Sequence, residues 1–150
     1  MTAPASLYLE SFNVGDTFTS ASTVITLEQI KAFAKEFDPQ PFHLDEAAAR
    51  DTLFAGLAAS GWHTAALTMR LLVDSLPLGD GLIGAGSDLR WPTPTRPGDE
   101  LHVRSEVLEI KPSQSKPDRG IVVVQCDTLN QRGECVQRAI SQLLVFRSAR

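Results

Sequence analysis

The chain has 150 residues, 43% hydrophobic and 21% charged, with a formal net charge of −4 and no run of Lys or Arg. That length suits one domain around one core. The charge argues against nucleic acid or a membrane surface as partner, since both are bound mainly through clustered positive charge.

A single domain is expected over residues 1–150, with residues 1–14 as an N-terminal extension. That extension has no basic region followed by an apolar stretch, so no secretory signal is read and the expected location is cytoplasmic. No apolar run approaches the ~18 residues of a membrane span. After the Gly15-Asp16 turn, residues 15–24 predict a short strand. Thr26 and Gln29 then have the spacing of a capping box. Ile30, Phe33, Ala34 and Phe37 follow at i, i+3, i+4 and i+7, the apolar face of a helix ending at Asp38.

Asp38-Pro39-Gln40-Pro41-Phe42-His43 comes next. Each proline fixes its own φ, lacks an N–H and pushes the preceding residue towards extended backbone, so regular helix is not expected here. A carboxylate at a helix C-terminus and an imidazole five residues on are held by a stiff bend, an arrangement suited to proton transfer. The plainer reading is a helix cap and a turn, with His43 bonding a backbone carbonyl. Residues 45–50 predict a short helix with acids in its first turn.

A long helix is predicted from Ser60-Gly61 to about Asp74. Trp62, Ala65, Ala66, Leu67, Met69, Leu71, Leu72 and Val73 leave it almost no polar face, so it is expected to be wrapped on all sides. Segments near 82–90, 99–111, 120–129 and 135–146 are rich in Val, Ile, Leu and Thr and are separated by turn residues. With residues 15–24 they give about five strands, mostly antiparallel. The fold class is therefore α+β, one antiparallel sheet around one central helix. Cys126 and Cys135 flank a hairpin turn at residues 130–133 and are read as reduced thiols.

Phe37-Asp38-Pro39-Gln40-Pro41-Phe42-His43-Leu44-Asp45 resembles the signature of the MaoC-like dehydratases, which include the (R)-specific enoyl-CoA hydratases. Ala59-Ser60-Gly61 resembles the start of that family's central helix, and Leu89 to Asp99 its proline-containing link ending in Gly-Asp. The likeness covers the element order from about residue 15 to residue 146. It implies a hotdog fold and hydration or dehydration of a 2-enoyl thioester on coenzyme A or acyl carrier protein. It also implies a homodimer or dimer of dimers, with the acyl channel near its interface.

On that resemblance Asp38 and His43 are the catalytic pair, and no cofactor or metal is needed. Ser60, Gly61 and Trp62 contact the substrate, with the Gly61 N–H, and secondly that of Trp62, facing the thioester oxygen. The chain departs from the family at Ser60, where many members have His, at Gln40 in place of Asn, and at Met69 in place of a serine. At a helix C-terminus and partly buried, the Asp38 carboxyl is expected to be raised in pKa. Histidine titrates near neutrality without help. One water held between the two would exchange protons with both, and which residue acts as base stays open.

Other features are read as structural. His63 fits a core or interface position and His102 a strand surface. No two histidines have helical ligand spacing, so no metal site is expected. Gly79 to Gly84 fits GxGxxG but follows a helix and precedes a strand, the reverse of a dinucleotide-binding turn. Ala58-Ala59-Ser60-Gly61 lacks the first glycine of a nucleophile elbow, so Ser60 is read as a helix N-cap. Arg70, Arg90 and Arg96 are ordinary surface charges, with contact to coenzyme A phosphates as the lesser reading. Two alternatives stay beside hydration: a thioesterase on the same fold, and a non-catalytic acyl-thioester binder.

Overall fold

The computed structural model of the protein describes residues 5–150. Among these residues four α-helices, α1 (Leu27–Phe37), α2 (Pro41–Leu44), α3 (Glu46–Ala49) and α4 (Gly61–Ser75), and one 3-10 turn (Leu9–Ser11) accompany six strands. The strands are β1 (Thr17–Thr19), β2 (Thr23–Val24), β3 (Ile83–Arg90), β4 (Glu100–Pro112), β5 (Arg119–Leu129) and β6 (Cys135–Phe146). They form an antiparallel sheet in the order β1-β4-β5-β6-β3, with β2 also paired to β4. Six strands stand where about five were expected, because residues 15–24 break in two. At the break the Ser20 N–H donates to the Val103 carbonyl, while Ser20 Oγ accepts from the Val103 N–H. A side chain thus replaces one rung of the ladder.

Alternation decides which side of the sheet is inside. On β5, Gly120, Val122, Val124, Cys126 and Thr128 are buried in strict alternation, and on β4 Leu101, Val103, Ser105 and Val107 match them. Alternation points Leu108 outward, where it is 39% exposed, and a register shift between Val107 and Glu109 leaves Glu109 outside too and turns Ile110 to the core. Leu71, Leu72 and Leu76 pack against this face with Val103, Val122, Val124 and Leu143. Each such buried side chain contributes about 1.5–3 kcal/mol. Leu9 and Phe12, in the segment read as an extension, belong to the same cluster. Residues 1–4 of that segment lie outside the described residues.

The expectation that α4 is covered on every side is corrected. Thr64, Thr68, Leu71 and Leu72 face inward, but Trp62, Met69 and Val73 are 62%, 45% and 48% exposed. One sheet covers only one side of a helix, and among the described residues nothing covers the other. The strand β3, at the sheet edge, is exposed along nearly its whole length.

The Thr26–Gln29 capping box forms as its spacing predicts, with Gln29 N donating to Thr26 Oγ1 and Thr26 N to Gln29 Oε1. The Asp38–His43 segment departs from expectation, because residues 41–44 close a single helical turn. Pro41 sits at its first position, where a missing N–H costs nothing. Asp45 caps α3 by accepting from the N–H groups of Ala47 and Ala48. The hairpin pairs Cys126 with Ala139 and Leu129 with Cys135, so its register separates the two thiols, and both are free.

Candidate active site

Asp38 is the C-cap residue of α1, its N–H donating to the Ala34 carbonyl. The following turn brings His43 back, and its Nε2 lies 3.3 Å from Asp38 Oδ2. His43 Nδ1 is 2.7 Å from the Ala58 carbonyl oxygen. A carbonyl can only accept, so Nδ1 donates this bond and Nε2 is the ring nitrogen that faces Asp38. The plain reading of His43 as a carbonyl-bonded turn residue therefore holds together with the pairing. At 3.3 Å no water fits between the two atoms; a water reaching both must sit beside them, on the cavity side.

Two further donors fix the carboxylate. Gln40 Nε2 donates to Oδ1 at 2.6 Å and Ser60 Oγ donates to Oδ2 at 2.7 Å. Burial pushes the Asp38 pKa up, but the bonds from Gln40 and Ser60, with His43 nearby, outweigh it and hold the carboxyl below its usual value. The expected upward shift is thus overturned. Helix end and burial were weighed, whereas the deciding donors arrive from two and 22 residues away.

Ser60 is fully buried and performs two tasks. Its hydroxyl hydrogen goes to Asp38, and its oxygen accepts from the Trp62 N–H at 3.2 Å as the N-cap of α4. The Trp62 amide, named in sequence as a second donor, is engaged by this cap. The N–H groups of His63 and Thr64 go to the Ser60 carbonyl. Among the described residues the Gly61 N–H has no protein acceptor. It stands at the positive end of a 15-residue helix and lines the same cavity as Asp38 and His43.

That cavity has a volume of about 490 Å³. Phe42, Phe54 and Trp91 supply apolar walls, and Thr64 Oγ1 bonds Thr95 Oγ1 at 3.1 Å in its buried floor. The Trp91 ring lies over Gly61, and Nε1 donates to Gln137 Oε1. The entry into α4 is strapped from both sides, by Ala58 N to the Phe42 carbonyl and Ala59 N to the Thr95 carbonyl. Arg96 donates to the carbonyls of Phe54, Gly56 and Leu57. The phosphate-contact reading fails for Arg96, whose guanidinium is engaged by backbone; Arg90 pairs with Asp88, and exposed Arg70 lies near Asp74. Pro97 and Gly98 (φ +84°) are the centre of a type II turn closed by Asp99 N to the Arg96 carbonyl, which explains the Gly-Asp signature as a backbone device.

Sequence reasoning missed Phe54, Thr64, Trp91 and Thr95 as cavity lining. Trp91 and Thr95 sat in a quoted motif, yet no periodicity marks a loop side chain as facing a site. His63 stacks on Phe33 at 4.6 Å, outside this group, and burial lowers its pKa. No group of three or more His, Cys, Asp or Glu is placed to hold a metal ion among the described residues, and no helix there is long and apolar enough to cross a membrane.

A sheet packed on one long helix, with an Asp–His pair at that helix's first turn, defines the class, and the MaoC like domain matches residues 11–129. The chain belongs to the MaoC-like dehydratase family, and its fold is the hotdog fold of those proteins. It is 64% identical to the MaoC-like dehydratase of Rhodospirillum rubrum, with a TM-score of 0.95 over 97% of this chain and 100% of that one. The (R)-hydratase PhaJ1 of Pseudomonas aeruginosa is 28% identical and superposes with a TM-score of 0.78 over 95% of this chain and 88% of its own. A curated relative, the 3-hydroxybutyryl-CoA dehydratase of Methylorubrum extorquens, is 33% identical over 115 residues, 73% of this chain and 69% of the relative.

Proposed function

We propose that this protein adds water across the double bond of a 2-enoyl thioester, and removes it in reverse, with Asp38 and His43 as the proton-transfer pair. The observation that carries this reading is the His43 Nε2–Asp38 contact of 3.3 Å beside a cavity that the unpartnered Gly61 N–H also lines. The names of the relatives, a 3-hydroxybutyryl-CoA dehydratase and an (R)-hydratase, support the same chemistry.

The step balances on protein groups and water alone. A water on the cavity side gives a proton to the Nε2 lone pair while its oxygen bonds C3 of the substrate. Electrons of the double bond move towards the thioester oxygen, where the Gly61 N–H donates to the developing charge. The imidazolium, steadied by ionised Asp38, returns its proton to C2. A carboxylate held below its usual pKa serves better as that steadying charge than as the acid. Loss of one such oxyanion donor in other enzymes costs about 3–4 kcal/mol of barrier.

The substrate class is an acyl thioester, on coenzyme A or acyl carrier protein. Two copies of the chain are proposed to pair through the free edge of β3 and the bare face of α4, where Trp62, Met69 and Val73 stand in water. Covering an edge strand removes the liability of its unpaired backbone groups.

The test uses crotonyl-CoA, following enoyl absorbance and free thiol in parallel. Absorbance loss without thiol is the expected result. Thiol release would make the protein a thioesterase, and inertness towards this substrate would favour a binder. Asp38→Asn and His43→Gln should each lower kcat by about 10²–10⁴-fold while leaving the fold intact by circular dichroism. A variant hydrating at the wild-type rate would remove its residue from the mechanism.

A further inference from the structure

Two cavities lie in succession along α4. The first holds the Asp38–His43 pair and is lined on that helix by Gly61, Trp62 and Thr64. The second, of about 310 Å³, begins at Ala65 and continues along Thr68, Met69 and Leu72, with β3 and β6 opposite. Its lining is mainly apolar, and its far end at Leu72 lies about 16 Å beyond Gly61 at 1.5 Å per residue.

The Trp91 indole stands between them. Trp91 lines the first cavity, whereas Gln137 lines the second, and Trp91 Nε1 donates to Gln137 Oε1 at 2.9 Å. Gln137 is 1% exposed, a buried amide anchored to the sheet rather than a surface side chain free to swing. On its other side the indole rests on the helix start. A Cβ placed on Gly61 would stand 2.7, 2.9 and 3.0 Å from three atoms of the six-membered ring. The Trp91–Gln137 pair, its indole 41% exposed, therefore stands between the first cavity and the groove.

We propose that Trp91 is a specificity-determining end stop, confining the acyl group to short chains and shutting longer ones out of the apolar groove alongside Thr68 and Met69. This rests on reading Asp38 and His43 as an enoyl-thioester site. The groove's occupant, once the stop is removed, is the distal part of the substrate's own acyl chain. The same helix that presents the Gly61 N–H lines the groove, so a chain anchored there and running along α4 enters it.

The experiment measures binding and turnover separately. Dissociation constants for saturated butyryl-CoA and octanoyl-CoA are determined by calorimetry for wild type, Trp91→Ala and Trp91→Phe, and hydration of crotonyl-CoA and octenoyl-CoA is assayed alongside. Each newly buried methylene is worth about fourfold in affinity. Wild type should bind octanoyl-CoA no more than about threefold tighter than butyryl-CoA, and Trp91→Phe, which loses the bond to Gln137 and part of the ring, should fall between wild type and Trp91→Ala. Trp91→Ala should favour octanoyl-CoA by at least about tenfold and gain turnover of the octenoyl substrate. If Trp91→Ala does not fold, Trp91→Leu, which keeps apolar cover over Gly61, carries the same comparison. A wild type already tenfold tighter for the longer chain overturns the assignment. So does a folded Trp91→Ala with unchanged preference. The expected affinities without hydration of either enoyl substrate would overturn the hydratase reading and keep the end stop, and binding of neither acyl thioester would overturn both.

Discussion

Asp38 accepts a hydrogen bond at each carboxylate oxygen, and His43 Nε2 stands 3.3 Å away. The two donated bonds, together with His43, set the sign of its titration. The folded state holds Asp38 below its ordinary value, so this group contributes stability above the carboxylate range, lost as pH falls through the folded value. Removing a donor reverses part of the shift. Ser60→Ala should therefore move the acid limb of the kcat/KM profile to higher pH, and loss of the cap at Trp62 should cost about 1 kcal/mol of stability. A pH profile that stays in place while the melting temperature drops would leave Ser60 with the cap alone. The pair itself was legible because two prolines and a helix end confine six residues to few conformations. The direction of the shift was not. Ser60 is 22 residues from Asp38, and a through-space donor leaves no local pattern.

The helix start is the element on which cavity, cap and the Trp91 ring converge. Gly61 is required there by the Trp91 ring, and its φ is not in the left-handed region. Gly61→Ala should destabilise the protein by about 1–3 kcal/mol through overpacking. In a Trp91→Ala background the same change should cost markedly less, because the obstructing ring is gone. A double-mutant cycle by chemical denaturation measures this coupling, and additive costs would refute it. At this scale β3 to β6 were legible from alternation and turn residues. The break at 20–22 was not, since nothing local announces that the Ser20 hydroxyl will stand in for a backbone rung. The covering of α4 was overread, because composition tells that a face is apolar but not what lies against it.

For the molecule as a whole, the exposed stripe on α4 and the unpaired β3 edge lie on a chain whose composition is otherwise ordinary for a soluble domain. Trp62, Met69 and Val73 fall at i, i+7 and i+11, near one line along the helix. Val73→Asp places a charge in that stripe, well away from Asp38 and His43 in sequence and among none of the lining residues of the first cavity. Sedimentation velocity should show the wild type as a dimer and the variant shifted at least tenfold towards monomer, with its far-ultraviolet spectrum unchanged. A monomeric wild type at micromolar concentration would discard the pairing, and the stripe would need another partner.

Arg96 reaches from the turn ahead of β4 to three carbonyls of the loop carrying Phe54. One guanidinium thereby ties the wall of the cavity that carries Phe54 to the turn before β4. Three carbonyls held by a single charged group resist displacement of that wall. Warming should leave the chamber's shape intact until the domain as a unit gives way, with no earlier softening of the pocket.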